Sequence, residues 1–445
     1  MNYETEEAPY RYLVAGVDTQ VPLANGNYGT YVNFDNAATT PPFNSVIKDI
    51  ISFSPWYSSI HRGNGYKSQI SSNIFESSRE TVLNFVHADS SNDTVIYVKN
   101  TTEGINKLSF RLCTGDKKCV VLSTNMEHHS NDLPWRDKYK LDYIELDKQG
   151  KLSLKDLEQK LINYNGAVKL VTVSGASNVT GYINPIYEVA KLAHKHNAKI
   201  LVDGAQLVPH SPVDMKPESS LEHIDFLVFS AHKMYAPFGI GVLIGPKAAF
   251  MQGAPDYKGG GTVDLVTHEY VAWNEPPEKE EAGTPNVMGV VALVSAIKTL
   301  TSIGMKNIDT YERSLAYYAL SSIKNIKDIE LYASSEDINN RVSIIPFNIK
   351  GMPHSIVSEI LSLEAGIAVR TGCFCAHPYV QKLLDVSGED ISNYLRTDKS
   401  ERPGMIRLSF GLYNSFSEID YFLRVLKYII NNKQYFLNKY SNHTH

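Results

Sequence analysis

The 445-residue sequence has few cysteines, no surplus of basic residues and no long apolar run. Four cysteines are too few for the disulfide framework that small secreted domains need. The 43 Lys and Arg residues against 48 Asp and Glu residues give a formal charge of -5, so the basic excess typical of nucleic-acid binders is missing. No apolar run approaches the roughly 18 residues that span a bilayer. We therefore expect neither a nucleic-acid partner nor a membrane partner.

The first seven residues are acidic and contain no apolar stretch, which argues against a signal peptide. Hydrophobic residues make up 43% of the chain and charged residues 20%, the composition of an ordinary globular protein. We expect a cytoplasmic protein. At roughly 150 residues per domain, the length fits two or three domains.

In the middle of the chain, short apolar runs alternate with amphipathic helical patterns. The runs predict strands covered on both faces, at residues 94–98, 119–122, 169–173, 200–203 and 226–229. A helix is predicted from Pro185, because the apolar residues that follow it recur on one helical face. This alternation predicts an α/β fold with a mainly parallel sheet.

The pattern changes near residue 300. We predict helices over residues 290–300 and onward through 322, a strand over 341–349 and a final amphipathic helix over 417–436. The domain division predicted from this change is a large domain over residues 31–300 and a small C-terminal α+β domain over 301–445. Residues 1–30 are expected to pack on the small domain or on a partner.

Two polar residues that follow predicted strands are candidates for chemistry. Lys233 ends the string Ser230-Ala231-His232-Lys233, and a lysine in such a place can form a Schiff base with a carbonyl cofactor. Asp203 follows another strand and can pair with a protonated pyridine nitrogen, as pyridoxal phosphate (PLP) requires. Ligands bind at the carboxyl ends of parallel strands in open α/β sheets. Taken singly, Lys233 could instead be an ordinary surface lysine, and Asp203 could be a helix N-cap.

Two further loops follow predicted strands. Thr101 and Thr102 could cradle a phosphate at a helix start, or one could be an ordinary N-cap in a capping box with Glu103. In the string Glu127-His128-His129-Ser130, an imidazole could stack on a flat ring; the alternatives are a solvated loop or a metal site. No carboxylate and histidine spacing supports zinc.

Together these motifs resemble those of class V, fold type I PLP-dependent enzymes. The matching segments are residues 35–40, 100–104, 127–129, 177–178, 203–206, 230–233 and 282–286. Within that class, the string from Arg370 to Pro378 resembles the catalytic-cysteine loop of the group II (SufS-like) cysteine desulfurases. The resemblance implies the PLP-dependent transferase fold type I, a seven-stranded mainly parallel sheet in the large domain, PLP as cofactor and L-cysteine or a related sulfur amino acid as substrate.

The resemblance also implies a role for each matching residue. Lys233 would hold PLP covalently, Asp203 would pair with the ring nitrogen, Gln206 would bond the ring hydroxyl oxygen and His128 would stack on the ring. The implied phosphate ligands are Thr101, Thr102, Ser230, His232 and, from a neighbouring subunit in a homodimer, Thr284. The implied substrate-binding residues are Arg407 as the carboxylate clamp, Arg370, Asn178, which also lies beside the cofactor, His61 and Asn36.

Cys375 matches the nucleophile of that family. Its thiolate would attack the sulfur of bound cysteine and leave a persulfide on Cys375, with alanine as product and an acceptor protein as a possible destination for the sulfur. A buried, inert thiol is the alternative. A different reaction on the same scaffold, namely C–S β-lysis, transamination or epimerisation, would not need Cys375, and a non-catalytic protein that retains the fold is a third alternative.

Cys373 and Phe374 depart from the His-rich pair that usually precedes the nucleophile. The string Arg370-Thr371-Gly372-Cys373-Phe374-Cys375 also resembles the loop of molybdenum-cofactor sulfurases. Cys373 could relay sulfur, pair with Cys375 on oxidation or simply pack. The polar stretch over residues 385–402 could be a lid, a docking surface for a sulfur acceptor or a solvated loop.

Overall fold

The computed structural model describes residues 8–112, 119–333, 338–394 and 402–440. In this part of the chain the strands are β1 (Gln20–Pro22), β2 (Tyr28–Thr30), β3 (Val32–Asn33), β4 (Asp93–Val98), β5 (Val120–Thr124), β6 (Lys140–Ile144), β7 (Val168–Ser174), β8 (Lys199–Asp203), β9 (Phe226–Ser230), β10 (Gly241–Pro246), β11 (Val263–Val266), β12 (Val271–Trp273), β13 (Ile329–Leu331), β14 (Ile344–Ile349), β15 (Ile367–Ala368), β16 (Arg370–Gly372) and β17 (Met405–Ser409). The α-helices are α1 (Asn44–Phe53), α2 (Tyr66–Phe85), α3 (Thr101–Arg111), α4 (Leu133–Arg136), α5 (Leu154–Tyr164), α6 (Ile186–Lys195), α7 (Lys247–Met251), α8 (Val287–Ile303), α9 (Met305–Ile323), α10 (His354–Ala365), α11 (His377–Leu383), α12 (Gly388–Tyr394), α13 (Phe416–Asn431) and α14 (Lys433–Tyr440).

The largest sheet has seven strands in the order β4-β10-β9-β8-β7-β5-β6. The neighbours from β9 through β6 pair in parallel, whereas β10 is antiparallel to both β9 and β4. Six strands therefore point the same way. The predicted α/β class and mainly parallel seven-stranded sheet are confirmed.

The sequence analysis predicted β4, β5, β7, β8 and β9 but not β6 or β10. Strand β6 lies at the sheet edge and is only partly buried, so it lacks a continuous apolar run. Strand β10 is fully buried but contains Gly241 and Gly245, which weaken a strand pattern. Gly241 allows a close approach: a Cβ there would lie 2.7 Å from Asn100 Cα, at the start of α3.

Because six strands share one direction, the carboxyl ends of β4, β5, β7, β8 and β9 meet at the same edge of the sheet. The segments that leave these ends are residues 99–102, 125–130, 175–178, 204–206 and 231–233. This is the edge at which open α/β sheets bind ligands. The fold thus brings separate polar motifs of the sequence to one place.

A second hydrophobic core surrounds the four-stranded antiparallel sheet β13-β14-β17-β16. Helices α9, α10, α13 and α14 contribute apolar side chains to it. Val32 and Phe34, from the start of the chain, also lie in this core, and β3 pairs in parallel with β15. The Phe34 ring packs edge-on against Phe410, with ring centroids 5.0 Å apart.

The described part of the N-terminal segment contacts this second core and also the first core, the hydrophobic cluster that packs on the large sheet. Arg11 forms an ion pair of 2.8 Å with Glu418 on α13, and the Ala24 amide donates to the Leu363 carbonyl on α10 at 2.7 Å. Val14 bridges to Phe43 in the first core. The predicted division of the chain at residues 30 and 300 stays a prediction.

The prediction of one continuous helix over residues 417–436 is wrong. The helix ends at Asn431, and a separate helix begins at Lys433. Asn432 ends α13 because its side-chain amide donates to the Tyr428 carbonyl and its backbone leaves the helical region.

In the described part of the chain no single helix is long and apolar enough to cross a membrane. The α8–α9 pair has the combined length and composition of a membrane span, but the two helices are bent by 78°.

The placement of Phe34 in the second core gives a stability prediction. Phe34 is fully buried, so Phe34→Ala is expected to lower the free energy of unfolding by about 3–5 kcal/mol. Chemical denaturation followed by circular dichroism measures the change. The control is Tyr28→Ala, since Tyr28 is 69% exposed and its removal should cost about 0.5 kcal/mol or less. Equal losses in the two variants would contradict the packing of residues 32–34.

Candidate active site

A cavity of about 510 Å³ opens at the carboxyl edge of the large sheet. Its walls come from the ends of the large-sheet strands, from strands β16 and β17 and from the loop after β16. Among the residues predicted for the site, those that line it are Thr101, Thr102, His128, Asn178, Asp203, Gln206, Ser230, His232, Lys233, Arg370, Cys375 and Arg407. Thr284, His61 and Asn36 do not line it.

Lys233 lies on a single 3-10 turn, Ala231–Lys233, that directly follows β9. Burial lowers the pKa of its amine to about 8, although the nearby Asp203 opposes this shift. A lysine of this kind is partly neutral near neutral pH and can act as a nucleophile or a base.

Asp203 is the last residue of β8 and is 4% exposed. One carboxylate oxygen accepts a hydrogen bond from the Ala205 amide at 3.0 Å. Burial raises the pKa of Asp203, whereas the charge of Lys233 lowers it. The cavity therefore contains a buried carboxylate and an amine that interact electrostatically.

Hydroxyl groups cluster at the start of α3. The Thr101 amide donates to Ser230 Oγ at 2.8 Å, and the Thr102 hydroxyl lies 2.6 Å from Ser130 Oγ. Asn100 caps the helix, because its Oδ1 accepts from the Glu103 amide at 3.0 Å. Neither threonine is the N-cap, so both hydroxyls lie inside the first helical turn and line the cavity. Hydroxyls beside a helix N-terminus form an anion site.

His128 is a neutral imidazole. Its Nδ1 accepts a hydrogen bond from the Ser130 amide at 3.1 Å. Burial, together with the charge of Lys233, lowers the pKa of His128 to about 3. His232, next to Lys233, is also held neutral, since burial lowers its pKa to about 4. A neutral ring can lie flat against another aromatic ring without the cost of burying a charge.

Gln206 has one satisfied and one unsatisfied polar atom. Its Nε2 donates to the Ala37 carbonyl at 2.7 Å. Its Oε1 is buried and has no hydrogen-bond partner among the described residues. Because buried polar atoms normally have partners, this oxygen points to a ligand in the cavity.

Two arginines stand side by side on the four-stranded sheet. Arg370 on β16 lies directly opposite Arg407 on β17 in the antiparallel register. Arg407 is 3% exposed, and its guanidinium donates to the Asn178 carbonyl at 2.9 Å and to Asp35 Oδ1 at 3.1 Å. Burial lowers the pKa of Arg407 to about 10. Its Nε is buried without a partner in the described residues.

The loop that carries Cys375 has an unusual backbone. Phe374 and Cys375 have φ angles of 51° and 55°, in the left-handed region that residues other than glycine rarely adopt. Two hydrogen bonds of 2.7 Å hold this pair: Asn178 Nδ2 donates to the Phe374 carbonyl, and the His129 amide donates to the Cys375 carbonyl. The exposed Cys375 side chain faces the cavity as a result.

Cys373 has a different environment from Cys375. Its thiol donates to the Pro403 carbonyl at 3.4 Å and packs against the first core. Burial raises the pKa of the Cys373 thiol to about 11. Cys373, Cys375 and Cys119 are all free thiols, and Cys113 lies outside the described residues.

Three residues predicted for the site do not line the cavity. Thr284 is exposed, and His61, also exposed, pairs with Glu76 at 2.9 Å. Asn36 is fully buried, and its amide nitrogen donates to the Asn33 and Ser409 carbonyls, so it holds the backbone beside the cavity. Of the stretch 385–402, the structure places residues 385–394 and 402; residues 395–401 lie outside the described part.

The sequence analysis gave no role to Asp35, Phe374 or Glu127. Asp35 contacts both arginines, and the Phe374 ring lies under the Arg407 guanidinium at 4.9 Å. Glu127 is buried between the ends of β5 and β7, where Ser174 donates to it through both its amide and its hydroxyl. Burial raises the pKa of Glu127 to about 7. Asp35 and Glu127 lie inside motifs that resemble those of the class V enzymes, and this position could have marked them as site residues.

This fold and this cavity agree with the comparisons to known proteins. The chain belongs to the class V aminotransferase family, whose sequence profile matches residues 32–422. It is 35% identical over 419 residues to a probable cysteine desulfurase of Halalkalibacterium halodurans, covering 92% of this chain and 95% of that protein. It is 34% identical to a cysteine desulfurase of Wigglesworthia glossinidia brevipalpis, covering 93% and 97%.

Among solved structures, an apo cysteine desulfurase from Thermococcus onnurineus NA1 superposes with a TM-score of 0.81 at 31% identity, over 94% of this chain and 98% of that one. CsdA of Escherichia coli, a cysteine desulfurase, has a TM-score of 0.78 at 27% identity and covers 96% and 99%. The predicted membership in class V and the predicted similarity to cysteine desulfurases are confirmed. The group II assignment stays a prediction.

The lowered pKa of Lys233 predicts a pH-dependent stability. In the unfolded chain the amine titrates near its usual pKa of 10.5, and in the folded chain near 8. Between about pH 8 and 10.5 the unfolded state binds more protons than the folded state, so the free energy of unfolding rises with pH. Below about pH 8 the amine is protonated in both states, and the cost of burying its charge is fully present. Lys233→Met should therefore stabilise the cofactor-free protein at pH 7 by about 2 kcal/mol, allowing for partial solvent contact.

Urea unfolding of wild type and Lys233→Met at pH 7, 8.5 and 10 measures this effect. The difference should shrink as the pH rises above 8. Lys306→Met, at an exposed lysine, is the matched control and should show no such trend. A difference that stays constant across this pH range would contradict the lowered pKa.

Proposed function

We propose that the protein is a PLP-dependent cysteine desulfurase, which converts L-cysteine to L-alanine and leaves the sulfur as a persulfide on Cys375. The observation that carries the proposal is that one cavity contains both the Lys233 amine, which follows β9, and the Cys375 thiol, from the loop after β16. The names of the similar proteins support the same reaction.

The residues of the cavity fit PLP. The hydroxyls at the start of α3 suit its phosphate, and the buried Asp203 suits a protonated ring nitrogen. Gln206 Oε1, a buried acceptor with no partner among the described residues, would accept a hydrogen bond from the ring hydroxyl. Lys233 would hold the aldehyde carbon, and the neutral His128 would lie on the ring face. Bound PLP supplies an electron sink for the α-carbon of an amino-acid substrate.

Arg407 and Arg370 bind the carboxylate of the substrate in this proposal. Both terminal nitrogens of Arg407 donate to protein oxygens. Among the described residues its Nε has no partner, so this atom can donate to the substrate carboxylate. A guanidinium fixed in this way orients a carboxylate through charge-assisted hydrogen bonds. The substrate is thereby placed between Lys233 and Cys375.

Lys233 moves the substrate protons. With a pKa of about 8, its amine can take the α-proton at neutral pH and later return one. The His128 ring is the weaker proton acceptor, because burial and the charge of Lys233 lower its pKa to about 3. Proton transfer is therefore assigned to Lys233.

Cys375 accepts the sulfur. Its thiolate attacks the substrate sulfur, so that an S–S bond forms while the Cβ–S bond breaks. The electron pair of the broken bond stays with Cβ, which takes up a proton, and alanine results. The thiol of Cys375 thus becomes a persulfide on an exposed side chain, from which an acceptor protein could take the outer sulfur. Cys373 stays protonated near neutral pH, since its pKa is about 11.

The proposal includes a homodimer in the cytoplasm. Thr284 is exposed and does not line the cavity of its own chain. This position suits the predicted contact with the phosphate bound by a second copy. Measurement of the molecular mass in solution tests the dimer.

The assignment of the nucleophile predicts unequal effects of two cysteine variants. Cys375→Ser should reduce alanine formation from L-cysteine to background while PLP still binds, because a hydroxyl does not accept the sulfur. Cys373→Ser should keep most of the activity, since Cys373 does not line the cavity and its thiol donates to the Pro403 carbonyl, as a hydroxyl also can. Amino-acid analysis of the products measures both effects. Pyruvate as the main product, unchanged in Cys375→Ser, would instead identify a C–S lyase.

The assignment of Lys233 predicts a spectroscopic change. Wild type mixed with PLP should show the visible absorbance of a lysine-bound cofactor, and borohydride should fix that cofactor on the peptide that contains Lys233. Lys233→Ala should lose the fixation, and alanine formation should fall by about 10²–10⁴-fold. The control is Lys138→Ala, since Lys138 lies outside the cavity. Fixation on another lysine in wild type would contradict the assignment.

A further inference from the structure

The two adjacent histidines of the string Glu127-His128-His129 have different surroundings. His128 lines the cavity, whereas His129 does not. The proposed function therefore uses only the first of them. His129 is half-buried and contacts the loop that carries Cys375. Its place in the fold indicates a role in that loop.

His129, which follows β5, is bonded to the loop at two points. Its backbone amide donates to the Cys375 carbonyl at 2.7 Å. Its ring Nε2 accepts a hydrogen bond from the His377 amide at 3.3 Å. The His129 ring also packs edge-on against the His377 ring, with centroids 4.8 Å apart. The peptide groups on both sides of Ala376 are thus held by one residue.

The His129 ring takes the place of a helix cap. Helix α11 begins at His377, and the first amides of a helix have no partner within the helix. The N-cap residue is Ala376, whose side chain makes no capping hydrogen bond. The ring Nε2 of His129 satisfies the first amide of α11 instead. The start of α11 is also where the chain leaves the Cys375 turn, so the ring fixes this exit.

The turn around Cys375 needs support from outside. The Ala376 amide closes it by donating to the Cys373 carbonyl at 2.8 Å, and both central residues, Phe374 and Cys375, have left-handed backbones. A turn of this kind favours glycine or asparagine at its centre, because a Cβ is unfavourable there. Phe374 and Cys375 therefore hold this conformation only because other residues bond to them.

The ring of His129 can accept its bond only while it is neutral, because a protonated imidazole has a hydrogen on both nitrogens. Burial and the charge of His377 lower the pKa of His129; Asp132 opposes this shift and Arg136 adds to it, and the net shift is downward. Near neutral pH the ring is therefore neutral, with its hydrogen on Nδ1.

We propose that His129 is a positioning residue for the nucleophile: its ring acceptor and its backbone amide hold the turn that directs the Cys375 thiol into the cavity. This rests on the proposed function, in which Cys375 accepts the sulfur. A small displacement of a reacting group lowers a rate steeply. Substrate binding, in contrast, depends on residues that His129 does not touch, namely Lys233 and Arg407.

The test separates binding from sulfur transfer. PLP-loaded protein is mixed with L-cysteine, the reaction is stopped at short times, and the persulfide on Cys375 is alkylated and quantified by mass spectrometry. The rate at saturating cysteine measures transfer. Two quantities measure binding: the cysteine concentration that gives half of that rate, and the dissociation constant of L-alanine from calorimetry.

Two variants of His129 differ only in whether they offer an acceptor. His129→Phe keeps a flat ring without an acceptor, whereas His129→Gln offers an amide oxygen at a reach similar to that of Nε2. Both keep the backbone amide. His194→Phe is the matched control, because His194 is also half-buried, is hydrogen-bonded to Asp225 and does not line the cavity.

We expect His129→Phe to lower the transfer rate by about tenfold or more, with both binding measures within about threefold of wild type. His129→Gln should stay within about threefold of the wild-type rate. His194→Phe should change neither transfer nor binding. If His129→Phe does not fold, His129→Asn should show the same loss of rate, because its acceptor is too short to reach the His377 amide.

A transfer rate unchanged in His129→Phe, or lowered equally in His129→Gln, would overturn the inference. A loss of binding as large as the loss of rate would also overturn it. If wild type forms the Cys375 persulfide in such a case, the proposed function stands and only the role of His129 fails. If wild type forms no persulfide on Cys375, the proposed function itself fails.

Discussion

Asn178 joins the two halves of the cavity. It follows β7 on the large sheet, yet its side chain donates to the Phe374 carbonyl at 2.7 Å and its carbonyl accepts from Arg407 at 2.9 Å. Both partners lie outside the large sheet, Phe374 in the loop after β16 and Arg407 on β17. Through these two bonds the cysteine loop and Arg407 are held against the strand ends that carry Asp203 and Lys233.

This connection matters because each half is incomplete. The large sheet supplies an amine, a buried carboxylate and an anion site, all at the ends of strands that point the same way. Strands β16 and β17 supply two guanidinium groups, and the loop after β16 supplies a thiol. Burial then tunes the groups: it brings the pKa of Lys233 down to about 8 and keeps His128 neutral. An amine, two guanidinium groups and a thiol therefore line one cavity.

Local patterns were sufficient to predict much of this arrangement. Apolar runs marked five of the seven strands, and the polar residues directly after them, such as Asp203 and Lys233, necessarily meet at the carboxyl edge. Long-range contacts were not predictable in this way. The contact of Asp35 with both Arg370 and Arg407 depends on the register of β16 against β17, and the left-handed pair Phe374–Cys375 depends on donors from distant loops. The break at Asn432 was missed because an apolar periodicity continues across it.

The central claim is that Cys375, placed by this loop in the cavity of Lys233, receives the sulfur. The most direct test is to treat the PLP-loaded protein with L-cysteine, trap persulfides by alkylation and locate the added sulfur by fragment-ion mass spectrometry. The account predicts one extra sulfur atom on Cys375 and none on Cys373 or Cys119. An extra sulfur on Cys373, or alanine formed with no persulfide on Cys375, would contradict it.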